Sequence, residues 1–364
     1  MYMSQRTPLH ELGALGQSVW LDSITRDWLT SGELADMVDD LGITGVTSNP
    51  SIFAQALTSD SYDAQIGELA DHDARAIFTQ LAVDDIRDAC DVLRPIWKKT
   101  GGVDGLVSIE IEPDLAHDTD ASIVRGRELW SAIDRSNLLI KVPATAEGLP
   151  VIETLIAEGI NVNVTLLFSV AMYREVMLRY LAGLEHRHAD GADLAVASVA
   201  SFFISRVDTA VDALLPDGSE LRGRAAVANA LAAWDAYLEV FTGDRFLALQ
   251  QAGARPQRPL WASTGTKEPS YSDVLYVQEL VAAGTVNTMP LPTMQAFADH
   301  GEARITITDA ARLQARGVLG ELREQGINLQ SVTDRLLLDG VAAFEKSFDE
   351  LLTGLEAKRA ELRA

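Results

Sequence analysis

Short apolar, β-branched runs alternate with stretches of helical period along this chain of 364 residues. We predict strands at 18–22, 45–49, 105–110, 138–142, 161–165, 195–201, 259–263 and 285–287. Between them, apolar positions recur as on a helix with one buried face. These helical stretches are 32–41, 121–135, 147–158, 169–188, 205–215, 222–249 and 271–283. Strands that alternate with helices pair in parallel through right-handed crossovers.

Eight strands are the number that closes a parallel (β/α)8 barrel. The alternative is an open doubly wound sheet, but the first strand is followed by no Gly-x-Gly-x-x-Gly fingerprint and the chain has no phosphate loop. The sequence therefore favours a TIM barrel, as a single domain over 1–364. Two long connections, at about 50–104 and 202–258, are predicted to add helices as lids or ledges. A final apolar spacing over about 331–363 predicts a long C-terminal helix laid against the barrel.

The composition is that of an ordinary globular protein, with 47% hydrophobic and 23% charged residues. Its 53 acidic residues outnumber 30 basic ones, which gives a formal net charge of −23. This charge opposes non-specific binding to nucleic acid or to an anionic membrane, so we expect neither as a partner. An anionic substrate would need a local cluster of positive charge.

The cysteine and histidine residues argue against disulfide-linked and zinc-binding proteins. A single cysteine, Cys90, allows no intrachain disulfide, and the six histidines have no zinc-type spacing. The first residues show no secretory or transit pattern, and no apolar run is long enough to cross a bilayer. We expect a cytoplasmic protein without metal or cofactor. The sequence leaves the choice between monomer and homodimer open.

Each predicted strand is apolar until its carboxyl end, where it turns polar. The residues at these ends are Asp22, Asn49, Glu110, Lys141, Thr165, Ser201, Ser263 and Asn287. In a parallel barrel these ends open on one face, where the active sites of this fold lie. Strands commonly end in polar residues that merely cap the next helix, and this is the simpler interpretation of Ser263 and Asn287. For Asp22, Glu110 and Lys141 together we favour a function, because ionisable groups at one mouth perturb one another.

Lys141 lies within the apolar stretch 138–145. An amine among aliphatic side chains is costly to keep charged, so we expect a neutral, nucleophilic fraction near neutral pH. Such an amine can form a Schiff base with a carbonyl substrate, and the iminium then promotes cleavage of the neighbouring carbon–carbon bond. Asp22 and Glu110 could divide the proton transfers of this chemistry, since surroundings decide which acid is protonated. The simpler alternative is that Lys141 ends a strand and extends into water.

Five runs of residues resemble the transaldolase family, in the same order along the chain. They are WLDS at 20–23, TSNPSIF at 47–53, VSIE at 107–110, IKVPAT at 140–145 and NVNVTLLFS at 161–169. The resemblance implies a ping-pong transferase of the non-oxidative pentose phosphate pathway that needs no cofactor or metal. Its substrates would be sugar phosphates. A dihydroxyacetone unit would pass from sedoheptulose 7-phosphate or fructose 6-phosphate to glyceraldehyde 3-phosphate or erythrose 4-phosphate.

The resemblance also implies catalytic roles for residues within these runs. Lys141 would form the Schiff base, and Asp22 would be the acid and base at the cleaved carbon–carbon bond. Glu110, with Thr165, would position a catalytic water. The roles of the lysine and of both carboxylates agree with those inferred above from the residues alone.

Substrate-binding roles follow from the resemblance alone. Asn49 and Asn163 would bind substrate hydroxyls, and Ser201 would hold the terminal hydroxyl of the dihydroxyacetone unit. Arg206, just beyond the sixth predicted strand, would bind the phosphate. Where many relatives have Ser-Phe-Arg after the seventh strand, this chain has STGTK, and we expect Lys267 to replace the second arginine as a point charge.

Two alternatives to a transaldolase can be stated. A related aldolase releases free dihydroxyacetone as a lyase, but those relatives are much shorter and lack the glutamate of the third strand, so Glu110 and the long terminal helix favour the transferase. A barrel kept as a binding or scaffold protein would be expected to have lost Lys141 or Asp22, and both are present.

Overall fold

In the computed structural model, which describes residues 6–363, eight parallel strands form a closed barrel in chain order. The strands are β1 (Ser18–Asp22), β2 (Gly45–Thr47), β3 (Leu106–Glu110), β4 (Leu138–Pro143), β5 (Val162–Leu167), β6 (Ser198–Phe203), β7 (Arg258–Ala262) and β8 (Val286–Met289). The last strand closes the barrel on the first, with Ser18 opposite Val286. The predicted TIM barrel is confirmed.

Helices surround the barrel in the described part of the chain. They are α1 (Pro8–Ala14), α2 (Arg26–Ser31), α3 (Glu33–Leu41), α4 (Pro50–Ala56), α5 (Asp63–Glu68), α6 (Ala74–Lys99), α7 (Thr119–Ile133), α8 (Gly148–Ala157), α9 (Val170–Ala189), α10 (Ser205–Asp212), α11 (Ala225–Phe241), α12 (Asp244–Gln251), α13 (Leu275–Glu279), α14 (Leu291–His300), α15 (Asp309–Glu324) and α16 (Leu329–Arg363). The long connection after β2 carries α4 to α6, and that after β6 carries α10 to α12. None of these helices has both the length and the apolar composition needed to span a membrane.

Strand β2 ends two residues earlier than predicted, because Asn49 begins the next helix. The Asn49 side chain caps α4 by accepting a hydrogen bond from the backbone N–H of Ile52 at 3.1 Å. Pro50 occupies the first turn of that helix, where its missing N–H costs nothing. This short strand brings the start of α4 close to the barrel mouth.

Two other predicted strands have different bounds. β6 runs from Ser198 to Phe203 instead of 195–201, so Ser201 lies inside the strand. β8 begins and ends later than the predicted 285–287, so Asn287 is an interior residue. The Oδ1 of Asn287 accepts a hydrogen bond from Thr264 at 3.0 Å, and the expectation that it ends a strand is wrong.

Two predicted helices are interrupted. The stretch 222–249 divides into α11 and α12 at Gly243, which precedes the first residue of α12. The stretch 271–283 is helical only from Leu275 to Glu279. The backbone of Val281 is hydrogen-bonded in both directions to the segment around Thr306, which replaces the helical pattern there.

The C-terminal helix α16 has 35 residues and passes over the carboxyl-terminal end of the barrel, which we call the mouth. Its Phe348 ring packs edge-on against Phe78 of α6, with centroids 5.4 Å apart. Gly340 lies over Leu166 of β5, and a Cβ there would be 3.1 Å from that side chain. This close approach brings the helix down onto the strand ends.

Candidate active site

A cavity of about 210 Å³ opens at the mouth. Seven of the predicted site residues line it: Asp22, Asn49, Lys141, Thr165, Ser201, Arg206 and Lys267. They come from β1, from β4 to β6, and from the segments that follow β2, β6 and β7. The topology therefore brings residues spread over most of the chain to one site. Glu110 and Asn163 do not line this cavity.

Lys141 is buried on β4, with 4% of its surface exposed. Its Nζ donates a hydrogen bond to the backbone carbonyl of Ser48 at 2.8 Å and lies 3.1 Å from Oε2 of Glu110. The prediction that aliphatic side chains surround the amine is wrong. Side chains alternate along a strand, and the neighbouring Ile140 faces Gly126 of α7 on the outside of the barrel.

Glu110 lies opposite Lys141 in the register of β3 and β4. It lines a second cavity of about 20 Å³, beside Ser48 and Asn49. A space of this volume is large enough for about one water molecule. Burial raises the pKa of the Glu110 carboxyl and the charge of Lys141 opposes that rise, while Asp22 adds to it. Glu110 is therefore an acid held against the amine, outside the main cavity.

Asp22 ends β1 and lines the main cavity. Its Oδ1 accepts a hydrogen bond of 2.7 Å from Thr47, whose hydroxyl also lies 2.7 Å from that of Thr288. Burial raises the pKa of Asp22, and the charge of Lys141, the Thr47 hydrogen bond and the charge of Lys267 oppose the rise. Two carboxyls with raised pKa thus stand near one amine in different surroundings, as acid–base chemistry requires.

Thr165 is fully buried on β5, and its Oγ1 has no hydrogen-bond partner among the residues described. The next residue, Leu166, has a φ of 58°, and the register between β5 and β6 shifts between Val164 and Leu167. A bulky residue in this left-handed region costs on the order of 1–3 kcal/mol, and such irregularities redirect side chains. The strained strand thus places Thr165 in the cavity wall with a buried hydroxyl that has no partner among the described residues.

Asn163 lies beneath Ser201, on the neighbouring strand. The hydroxyl of Ser201 donates to Oδ1 of Asn163 at 2.7 Å, and Nδ2 of Asn163 donates to Ser108 at 3.0 Å. Asn163 is fully buried, and protein groups occupy both ends of its amide. These contacts fit an orienting role for Ser201, and direct binding of a substrate hydroxyl by Asn163 stays a prediction.

Two cations face the cavity. Arg206, in the first turn of α10, is half-buried, and its guanidinium carbon lies 5.5 Å from the centroid of the Phe203 ring. Burial lowers its pKa, and no carboxylate compensates for the lost hydration. Lys267 is exposed in the segment that follows β7. Neither cation forms an ion pair with a described residue, so both are available to an anion.

Sequence reasoning missed several residues of the site. Thr47 and Ser48 fall within the TSNPSIF run, next to Asn49, and adjacency to a strand end could have identified them. Phe344 of α16 also lines the cavity. It has the spacing of any apolar helix position, so nothing local indicates that it faces the mouth. Ser263 lines the cavity too, with a φ of 55°.

The fold and this site define a class of protein: an enzyme on a (β/α)8 barrel whose mouth holds a buried lysine, two carboxyls and unpaired cations. Among the residues described, no group of three or more His, Cys, Asp or Glu side chains is arranged to hold a metal ion.

Comparison with known proteins gives the family. The model of the family described as Transaldolase/Fructose-6-phosphate aldolase matches residues 19–355. A transaldolase of Saccharopolyspora erythraea is 50% identical over 357 residues, covering 96% of this chain and 97% of that protein. Transaldolases of Mycobacterium ulcerans and Mycolicibacterium smegmatis are 52% and 51% identical over 365 residues, covering 98% of each chain. This chain belongs to the transaldolase/fructose-6-phosphate aldolase family and is an enzyme of the transaldolase type, a transferase.

Proposed function

We propose that this enzyme transfers a dihydroxyacetone unit from a ketose phosphate, sedoheptulose 7-phosphate or fructose 6-phosphate, to glyceraldehyde 3-phosphate or erythrose 4-phosphate. The reaction would proceed through a Schiff base on Lys141, in the non-oxidative pentose phosphate pathway of the cytoplasm. The observation that carries the proposal is the buried Lys141 amine, 3.1 Å from the Glu110 carboxyl and in one cavity with Asp22.

Formation of the Schiff base begins when the neutral amine adds to the ketone carbon of the donor. The carbonyl oxygen then leaves as water, which requires one proton at that oxygen and the loss of one from the nitrogen. Glu110 is hydrogen-bonded to Nζ, and its raised pKa favours a form that can return a proton. The free hydroxyl of Thr165 is suited to hold the departing water.

Cleavage follows because the protonated imine withdraws electrons from the adjacent carbon–carbon bond. The hydroxyl on the departing carbon must lose its proton as the bond breaks and an aldehyde forms. Asp22 is the carboxyl in the main cavity with Lys141, and Thr47 fixes its orientation. The aldose phosphate leaves, the enamine remains on Lys141, and the acceptor aldehyde reverses these steps.

Binding of the sugar phosphate uses the remaining residues of the cavity. Arg206 and Lys267 supply the unpaired positive charge that a phosphate needs in a protein of net charge −23. The Oδ1 of Asn49 caps α4, which fixes the side chain, and its amide nitrogen donates to no described residue and can bind a substrate hydroxyl. Ser201 would hold the terminal hydroxyl of the dihydroxyacetone unit, oriented by Asn163.

Borohydride trapping with fructose 6-phosphate tests the proposal. Reduction of the Schiff base should leave a dihydroxyacetone-derived adduct on Lys141, located by peptide mass mapping. Absence of that adduct, or its presence on another lysine, would overturn the mechanism. Turnover with and without erythrose 4-phosphate separates transferase from lyase, since rapid release of dihydroxyacetone without an acceptor would identify the lyase.

A further inference from the structure

Two buried carboxylates on α10 have no part in this mechanism. Asp208 is 1% exposed and Asp212 is 7% exposed, one helical turn apart. Neither forms an ion pair with an arginine or lysine of the described chain. Burying a carboxylate without a cation is costly, and burial raises the pKa of Asp208 to about 6. Carboxylates kept at such a cost need a reason in the structure around them.

Both carboxylates accept hydrogen bonds from tyrosines that follow β7. Tyr271 donates its hydroxyl to Oδ2 of Asp212 at 2.7 Å, and Tyr276 donates to Oδ2 of Asp208 at 2.9 Å. The other oxygen of each carboxylate accepts a hydrogen bond from the backbone. The Gly223 N–H donates to Oδ1 of Asp212 at 3.0 Å, and the Ala226 N–H donates to Oδ1 of Asp208 at 2.7 Å. Each carboxylate therefore joins two segments of chain to α10.

The segment that the tyrosines attach to α10 is the one that carries Lys267. We call residues 263–274, between β7 and α13, the β7–α13 loop; Tyr271 lies in this loop, and Tyr276 lies in the helix α13 that follows it. At its start, Ser263 is bonded to Ser205, the first residue of α10, with 2.9 Å between hydroxyls and 3.1 Å from the Ser205 N–H to the Ser263 carbonyl. The loop is thus fixed to one helix at both ends of the Lys267 region.

The same helix carries the other phosphate-facing cation, because Arg206 is its second residue. Lys267 lines the substrate cavity and also a neighbouring cavity of about 210 Å³ bounded by Asp208, Asp212 and Tyr271. Its own side chain is exposed and forms no ion pair with a described residue, so only the backbone of the loop fixes its position. The relative position of the two cations therefore depends on the bonds between loop and helix.

We propose that Asp208 and Asp212 are positioning residues for the substrate phosphate: through Tyr276 and Tyr271 they hold Lys267 at a fixed place relative to Arg206. The preference for phosphorylated sugars then depends on two tyrosine–carboxylate pairs that do not touch the sugar. This inference rests on the proposed function, since it assumes that the anion in the cavity is a phosphate.

The test removes the tyrosine hydroxyls without removing the rings. In the double variant Tyr271→Phe/Tyr276→Phe, the rings keep their packing and the two tyrosine–carboxylate hydrogen bonds to α10 are lost, while the Ser263–Ser205 bonds remain. Tyr62→Phe is the matched control, because the Tyr62 hydroxyl donates to the buried carboxylate of Asp85 at 2.7 Å and neither residue lines the cavity. Calorimetry with inorganic phosphate should show about tenfold weaker binding in the double variant, the loss expected for about 1.4 kcal/mol, and unchanged binding in the control.

A second measurement distinguishes a displaced Lys267 from general damage to the active site. Borohydride trapping with unphosphorylated dihydroxyacetone, which needs no phosphate site, should label Lys141 at the wild-type rate in both variants. The KM for fructose 6-phosphate should rise about tenfold in the double variant with kcat little changed. Unchanged phosphate binding, or an equal loss of phosphate binding and dihydroxyacetone labelling, would overturn the inference. If dihydroxyacetone failed to label Lys141 in the wild-type protein, the proposed function would be contradicted. The phosphate titration would still decide whether Asp208 and Asp212 position Lys267.

Discussion

At the amino-terminal end of the barrel, a cavity of about 530 Å³ contains Arg258, whereas the mouth, with Arg206, encloses only about 210 Å³. The Arg258 guanidinium donates to the carbonyls of Gly284, Val103 and Thr285 and to the Ser18 hydroxyl. Arg206 has an aromatic ring beside it and no carboxylate.

The carboxylates at the two ends of the barrel also differ in how fully hydrogen bonds and cations satisfy them. At the amino-terminal end, Asp104 accepts hydrogen bonds from Ser18 and from the indole of Trp20 and lies 3.9 Å from Arg258. At the mouth, Asp22 and Glu110 share the charge of Lys141, form no ion pair with an arginine of the described chain, and have raised pKa values. Satisfied polar groups stabilise a fold, while incompletely satisfied ones mark sites of binding and chemistry. The charged side chains of the larger cavity are thus satisfied within the fold, whereas those of the mouth are not. We make five predictions from this contrast, ordered by expected effect on activity.

Lys141→Ala should lower turnover by at least about 10⁴-fold, because the covalent intermediate cannot form. The melting temperature should change little, since Glu110 can become protonated when its cationic partner is lost. Steady-state kinetics and a thermal melt on the same preparation measure both. Substantial residual turnover would mean that the chemistry does not require this amine.

Asp22→Asn should lower kcat by about 10²- to 10⁴-fold through loss of the acid–base group, and should stabilise the protein. The pKa of Asp22 is raised above its usual value of 3.8, so the folded state holds the proton more tightly than the unfolded chain. The stability this gives is present below pH 3.8 and is lost as pH rises through the folded-state pKa.

Asparagine does not ionise, so the variant's gain in melting temperature should be absent near pH 4 and reach on the order of 2 °C or more at pH 8. Melts of both proteins across this range measure it. A gain that shrinks as pH rises would contradict the burial argument for Asp22.

Glu110→Gln should slow Schiff-base formation by about 10- to 100-fold while leaving sugar binding nearly unchanged, because Glu110 contacts the amine and does not line the sugar cavity. Single-turnover trapping at saturating fructose 6-phosphate isolates this step. A rise in KM with normal trapping would instead place Glu110 in substrate binding.

Lys267→Ala should raise KM for fructose 6-phosphate about tenfold and leave labelling by unphosphorylated dihydroxyacetone unchanged. The lysine is exposed and unpaired with any described residue, so its removal should not affect the melting temperature. An unchanged KM would remove Lys267 from the phosphate site and leave Arg206 as its main cation.

The ionisable groups at the mouth could be predicted from the sequence because the carboxyl ends of all strands in a parallel barrel lie on one face. Asp22, Glu110 and Lys141 each lie near the carboxyl end of a strand, and parallel pairing alone brings them together. Local patterns show only neighbours in sequence, however. The Ser48 carbonyl that accepts a hydrogen bond from Lys141 lies 93 residues away and just beyond the end of β2, so this contact could not be predicted.

Arg258→Met should leave kcat/KM within about twofold of wild type, the smallest effect on activity of the five, because its contacts all lie at the other end of the barrel from Lys141. It should still destabilise the protein by about 2–4 kcal/mol, since the Ser18 hydroxyl and the Thr285 carbonyl lose a partly buried donor and the buried Asp104 loses its nearest cation. Denaturant unfolding and kinetics on one preparation measure both. A large loss of activity with normal stability would show that the amino-terminal cavity takes part in function, and the contrast between the two ends of the barrel would no longer separate site from scaffold.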